Sequence, residues 1–518
     1  MKNCGWNLEH TYTGLPEIFY RYHEPAPANK PEMVIFNREL AAELGFGDSP
    51  CERLLSGTEL PPGARPICQA YAGYQFGHFA MLGDGRTVLL GEQVTPDGGR
   101  FDVQLKGAGP TPYSRGGDGY AALLPMLREY IISEAMHYLG IPTTRSLAVT
   151  LTGQPVLRDV ALPGAVLTRV AGSHVRVGTF NYAAAFGSVD DVRALADYCI
   201  QRHFPWILEG SGIGEDGVYK FDAGGGGEAD RPKVADPKRY VLFFREVARR
   251  QAKLIARWQL VGFVHGVMNT DNMSICGETI DYGPCAFMDI YDPDTVFSSI
   301  DAGGRYAYKN QPGIGAWNLA RFAEALLPLL DEDKKRAIEV AQGEITGYWE
   351  EYEKCWLDGM RRKLGIAGED AGDGALVEEL LELMRGYGLD YTRAFIGIGR
   401  VGEGMIVGSN SGLPGGDGLS GVLGIAGLPE TLGAIGLPDA PDFIAWVEKW
   451  AVRRGGQPEG VCEMDRHNPA VIPRNYYVEE ALEAAGRGDY GVMRDLLAVL
   501  RRPFEDGGVY AAPPMVGS

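Results

Sequence analysis

The sequence predicts an α+β fold in two lobes, a strand-rich one followed by a mainly helical one. An N-terminal extension precedes them and a helical extension follows. Three observations predict it. From Ala70 to Phe180 strand signals surround a single amphipathic helical stretch, strands then one helix then more strands. From about Asp190 the apolar spacing changes to three and four, the period of a helix with one buried face. The chain has 518 residues, enough for about two to four domain-sized units or one two-lobed enzyme with extensions. The boundaries read as 1–65, 66–185, 186–365 and 366–518.

Residues 1–65 mix Pro-rich loops with one helical stretch at Asn37–Leu44. Thr87–Glu92 and Phe101–Lys106 read as strands. In the second, Phe101, Val103 and Leu105 share one face while Asp102, Gln104 and Lys106 share the other. Ala121–Leu139 reads as a helix with Leu123, Leu127, Tyr130, Ile131 and Leu139 on its apolar side, stopped by Gly140-Ile141-Pro142. Ser146–Leu151 and Ala165–Val170 complete the strands. Arg239–Gln259, Ala316–Leu330 and Asp333–Lys363 are long helices, and Phe443–Val452, Tyr477–Ala485 and Tyr490–Leu500 are closing ones. Ala223–Glu228 is expected to be a mobile loop, and the Gly-rich stretch Ile396–Ala440 an irregular segment.

Composition excludes several classes. A formal net charge of −19 argues against a nucleic-acid surface, which needs a basic face to neutralise phosphates. No apolar run reaches the length of a membrane span, and the first residues lack a signal-peptide core, so the chain reads as cytoplasmic. Its 8 Cys are dispersed without a CxxC pair, which fits buried free thiols and neither a zinc site nor a disulfide framework.

The segment His265-Gly266-Val267-Met268-Asn269-Thr270-Asp271-Asn272, followed by Asp281-Tyr282-Gly283, carries the chemistry. It resembles a protein-kinase catalytic loop, H-R-D-x-x-x-x-N, and its D-F-G metal motif. His265 and Asn272 keep the spacing, and Asp281 stands where a metal-binding Asp belongs. Val267 occupies the position of the catalytic base and can take no proton. Asp271, beside Asn272, is the candidate replacement. Two outcomes are open: a nucleotide-binding pseudoenzyme, or an enzyme that performs a related transfer with another carboxylate. Asn272 and Asp281 offer hard oxygen donors suited to Mg²⁺ or Mn²⁺ bridging phosphates, although Asn and Asp also stabilise ordinary turns.

Upstream, Gly83-Asp84-Gly85-Arg86 lies between strands ahead of Lys106, where glycines allow backbone N–H groups to approach phosphates; the bland alternative is a hairpin turn. Lys106 sits on the polar face of a strand, and the next helix offers Glu129 and Glu134 as partners, of which Glu129 is preferred. The Gly-rich run from Gly107 to Gly119, which ordinary kinases lack, ends in Asp118-Gly119. Arg169 and Arg176 could grip phosphate oxygens bidentately, or be surface charges. His174 reads as structural.

Together these segments resemble the selenoprotein O (YdiU-type) family of kinase-like protein adenylyltransferases. The resemblance rests on Tyr74-Gln75-Phe76-Gly77 to Gly91-Glu92, Gln104-Leu105-Lys106-Gly107 to Asp118-Gly119, Ser133-Glu134-Ala135-Met136 to Thr144-Arg145, and His265 to Asp281. Asn310-Gln311-Pro312 to Trp317-Asn318-Leu319 and Asn468-Pro469 to Arg474-Asn475-Tyr476 extend it. It implies a protein-kinase-like two-lobed fold that binds ATP in reversed orientation and moves AMP to Ser, Thr or Tyr hydroxyls of proteins, releasing pyrophosphate. By the same resemblance Gly83, Gly85, Arg86, Lys106, Asp118, Gly119, Arg169, Arg176 and Asp281 bind nucleotide, Asn272 and Asp281 hold Mg²⁺ or Mn²⁺, and Asp271 accepts the proton. A kinase-type phosphotransferase and a non-catalytic nucleotide-binding scaffold remain the rival functions. The chain departs from the family's pattern at Pro514-Met515-Val516-Gly517-Ser518, which carries no thiol, and this puts thiol control of the family's kind in doubt.

Overall fold

The computed structural model describes residues 5–47, 49–208, 238–410, 428–455 and 458–513. Among them the strands are β1 (Leu8–Glu9), β2 (Tyr20–Tyr22), β3 (Glu32–Phe36), β4 (Ile67–Gln69), β5 (Ala72–Gln75), β6 (His78–Met81) and β7 (Thr87–Val94). Then come β8 (Arg100–Lys106), β9 (Ala121–Ala122), β10 (Arg145–Leu157), β11 (Ala161–Ala171), β12 (Phe263–Val264) and β13 (Ala286–Phe287). One antiparallel sheet runs in the order β2-β4-β7-β8-β11-β10-β3, with β1 on β7 and β9 on β11. Mixed α and antiparallel β structure of this kind is the predicted α+β class. The N-terminal 65 residues do more than extend the fold: β2 pairs with β4, and β3 pairs with β10 at the far edge.

The early helices are α1 (Arg38–Glu43), α2 (Glu52–Leu55) and α3 (Leu123–Tyr138). Asn37, not a helical residue, is the N-cap of α1; its side chain accepts the Leu40 N–H. The predicted start of α3 at Ala121 is corrected by two residues, because Ala121 and Ala122 pair with Ala165 and Gly164 as β9. Leu127, Ile131 and Met136 of α3 are fully buried in the central core, which the sheet residues Val149, Ala165 and Leu167 share. That packing fixes the helix against the sheet and so fixes the side chains it presents toward β8.

Beyond the sheet come α4 (Val177–Phe186), α5 (Val189–His203), α6 (Lys238–Leu260), α7 (Gln311–Leu330), α8 (Lys334–Lys363), α9 (Asp373–Tyr387) and α10 (Tyr391–Asn410). The chain closes with α11 (Leu428–Ala434), α12 (Pro441–Arg454), α13 (Pro458–His467), α14 (Asn475–Gly486) and α15 (Gly491–Leu500). The expectation of an irregular Ile396–Ala440 segment is corrected here. Its first part is helical as α10, and Ile398, Val401, Leu428, Leu432 and Leu437 are buried in a second core around Trp446 and Trp450. The two indoles stack at 6.1 Å and their N–H groups donate to the Leu376 and Leu364 carbonyls at 2.9 Å each. The predicted loop at Ala223–Glu228 lies outside the described residues, as do residues 411–427.

Candidate active site

Alternation along β8 places Lys106 on the face toward α3. Its Nζ donates to Glu129 Oε2 at 2.5 Å and also to Asp281 Oδ1. Glu134 is otherwise engaged: it accepts from Arg145 at 2.8 Å and from the Asn37 amide at 2.7 Å. Arg169, on the neighbouring strand β11, donates to Glu129 Oε1 at 3.2 Å and to Gln104 Oε1 at 2.5 Å, and stands 3.9 Å from Asp281. The Lys106 ammonium beside it, with Arg169 and Arg86 behind, holds the Asp281 carboxyl well below the usual carboxylate range. Asp281 is therefore an anion at neutral pH, and its backbone adopts φ +67, a left-handed conformation uncommon for a non-glycine residue.

The loop that carries Asp271 and Asn272 leaves the β12–β13 ribbon at His265 and returns through Asp281. Buried His265 pins both ends: its Nε2 donates to the Ile280 carbonyl at 3.0 Å, and its Nδ1 accepts the Val267 N–H at 3.4 Å. Burial pushes its pKa down, so the ring is neutral. Asn318 from α7 donates to the Met268 carbonyl at 3.0 Å, and Tyr306 donates to Asn269 Oδ1 at 2.6 Å. The β5–β6 hairpin adds Tyr74 N–H to Thr270 Oγ1 at 3.0 Å. Asn272 Nδ2 donates to the Val267 carbonyl at 2.9 Å, which leaves its Oδ1 buried without a partner; Asp271 Oδ1 is buried without one too. Burial raises the Asp271 carboxyl to about 6, against the opposing pull of Arg176. Gly73 stands directly behind it: a Cβ there would lie 2.1 Å from Asp271 Oδ1.

These groups line one cleft of about 410 Å³. The turn between β6 and β7 forms its roof. Gly83 has φ +87 and a Cβ on it would strike the Tyr113 ring at 2.6 Å, so only glycine fits. Asp84 shapes the turn from below, accepting the Gln69 N–H at 3.0 Å and the Gln104 amide at 3.1 Å. Arg176 is buried, stacks 4.5 Å over Tyr71 and donates to the Asp271 carbonyl at 2.8 Å. A cavity that gathers five arginines, a lysine and five acidic or amide side chains is built for a polyanion together with a cation.

The model of the family described as "Protein adenylyltransferase SelO" matches residues 4–501. The chain belongs to this family. It is thereby a nucleotidyltransferase. Relatives named protein nucleotidyltransferase YdiU include those of Halalkalibacterium halodurans (52% identical, covering 96% of this chain and 93% of the relative) and Geobacillus kaustophilus (51%, covering 97% and 94%). The Brevibacillus brevis relative is 51% identical, covering 96% of this chain and 93% of its own length.

Of the sequence-predicted residues, Gly83, Gly85, Arg86, Lys106, Asp118, Gly119, Arg169, Arg176, Asp271, Asn272 and Asp281 all line the cleft, and Glu129 lies behind Lys106. Asp118 differs in detail. Its carboxylate is engaged by Arg158 at 2.7 Å at the exposed rim, so its charge is already paired. Sequence reasoning missed Arg158, Tyr71, Tyr113 and Arg115. Only Arg115 left a signal, as the lone cationic residue amid the glycines of the 107–119 run. Its φ is +51, and its charge is felt at Asp271.

The family's adenylyl transfer implies a divalent cation, and the residues present fit one. Among the described residues no group of three His, Cys, Asp or Glu side chains forms a self-sufficient metal cage. An Mg²⁺-type ion needs none, since it takes one or two protein oxygens and completes its shell with phosphates and water. Buried Asn272 Oδ1 lacks a partner and Asp281 is held ionised, which is the donor set such an ion takes.

Proposed function

We propose that the chain transfers AMP from ATP to Ser, Thr or Tyr hydroxyls of acceptor proteins and releases pyrophosphate. The observation that carries this reading is the displaced acid: Val267 replaces the kinase base, while Asp271 lines the cleft beside Asn272. A carboxyl at about 6 is ionised at neutral pH yet remains a better base than an ordinary aspartate. The Asp271 carboxylate accepts the proton of the acceptor hydroxyl. Arg86, Lys106, Arg169 and Arg176, with the N–H groups around Gly83, Gly85 and Gly119, bind and orient the triphosphate. Glu129 positions Lys106. Asn272 and Asp281 would hold Mg²⁺ or Mn²⁺, which when bound supplies charge neutralisation for the phosphates.

The same reading gives the chain the kinase-like two-lobed organisation, with the nucleotide between residues 66–185 and 186–365. The strand lysine paired to a helix glutamate and the ribbon-framed loop support it. The net charge of −19 speaks against nucleic-acid partners, and no described helix is long and apolar enough to cross a membrane. The reading takes the chain to work in the cytoplasm.

ATP labelled separately on its α- and γ-phosphates tests the proposal. Label from the α-phosphate is expected in acceptor protein. Entry of γ-label alone would make the chain a kinase, and entry of neither despite ATP binding would make it a scaffold.

A further inference from the structure

A second cavity of about 580 Å³ shares no lining residue with the cleft and falls within the size range of small-molecule sites. It opens where the end of α3, the last turns of α6, the end of α8 and the segment after α13 meet. In a chain of net charge −19 its lining is cationic: Lys253, Arg257, Arg362 and Arg466 against one carboxylate, Asp358.

The pairing makes the excess larger. Asp358 already accepts from Arg361 at 2.7 Å, and Lys253 is matched by Glu351 at 3.0 Å. Arg466 reaches Glu463 only at 3.9 Å. Arg257 donates to the Gly140 carbonyl at 3.1 Å, and among the described residues neither it nor Arg362 has a carboxylate partner. Helices α6 and α8 run side by side in step, with Arg245 on Glu344, Lys253 on Glu351, and Leu260 against Gly359. Arg257 comes one turn before Leu260 and Arg362 one turn after Gly359, so the two guanidiniums flank that close approach. Leu260, Val261 and Phe504 add apolar wall to the same cavity, and Phe504 is 40% exposed.

We propose that this cavity binds a small organic phosphate. The phosphate engages Arg257 and Arg362, whose planar forks match its oxygens, and the organic body lies on Leu260, Val261 and Phe504. The proposal stands independently of adenylyl transfer.

Isothermal titration calorimetry of the full chain with phenyl phosphate tests it, with benzyl alcohol as the uncharged control. Binding of phenyl phosphate is expected in the wild type and is expected to persist in Lys106→Ala, which weakens phosphate binding in the cleft. Arg257→Ala/Arg362→Ala, at two exposed positions and checked for an unchanged thermal unfolding transition, should weaken it at least about tenfold, the loss of one charge-assisted hydrogen bond. Absence of binding, unchanged affinity in the double variant, loss of binding in Lys106→Ala, or equal affinity for benzyl alcohol would each overturn the proposal.

Discussion

Replacing Asp271 by Asn separates the chemistry of this acid from its effect on stability, and the two should move in opposite directions. Burial raises the carboxyl from 3.8 to about 6. At 1.36 kcal/mol per pH unit, that rise corresponds to about 3 kcal/mol. The folded state holds the proton more tightly than the unfolded chain, so stability falls as pH climbs from about 4 to about 6, and the full penalty persists above. An asparagine carries no charge to desolvate. The variant should therefore be more stable than the wild type near pH 7.5, by up to about 3 kcal/mol, with the gap closing toward about pH 4. The transfer rate should fall by about 10²–10⁴, the contribution of a positioned general base. Urea unfolding at the two pH values measures the first effect, and single-turnover transfer at saturating ATP the second. A variant no more stable at neutral pH would show that burial does not dominate at Asp271. Undiminished transfer would remove it as proton acceptor.

Two other substitutions probe the surrounding frame. Lys106→Met removes the cation shared by Glu129 and Asp281, so transfer should fall by at least about 10² while far-ultraviolet circular dichroism is unchanged; retained activity would show that phosphate binding does not pass through this lysine. Gly73→Ala drives a Cβ to 2.1 Å from Asp271 Oδ1, and should lower kcat about tenfold to a hundredfold with little change in KM for ATP. A drop in ATP affinity instead would mean that the hairpin shapes the nucleotide pocket and not the acid.

The parts of this molecule that were legible in its sequence are those whose signal is local. Alternation exposed β8, a short apolar run exposed β7, and an apolar stripe exposed α3. A fixed spacing exposed the loop from His265 to Asp281. The two edge strands β2 and β3 left no such trace. Each is five residues or fewer, flanked by Pro-rich loops, and finds its partner only at β4 and β10 in the folded chain. Helix α10 was hidden for the opposite reason. Its glycines, Gly397 and Gly399 among them, each cost about 1 kcal/mol relative to alanine in a helix, so local propensity pointed away from the structure formed.

Packing reverses that preference: a Cβ at Gly397 would press on Leu437 at 3.2 Å, so the glycine admits a close neighbour and the burial of Ile398 and Val401 outweighs the entropic loss. The site divides along the same line. Residues that a motif spaces, from Lys106 to Asp281, were visible. Tyr71 under Arg176 and Arg158 on Asp118 became functional neighbours only through the sheet that brings β4, β10 and β11 together. Such positioning residues act through a partner's charge or orientation, and one-dimensional spacing carries no record of which partner that is.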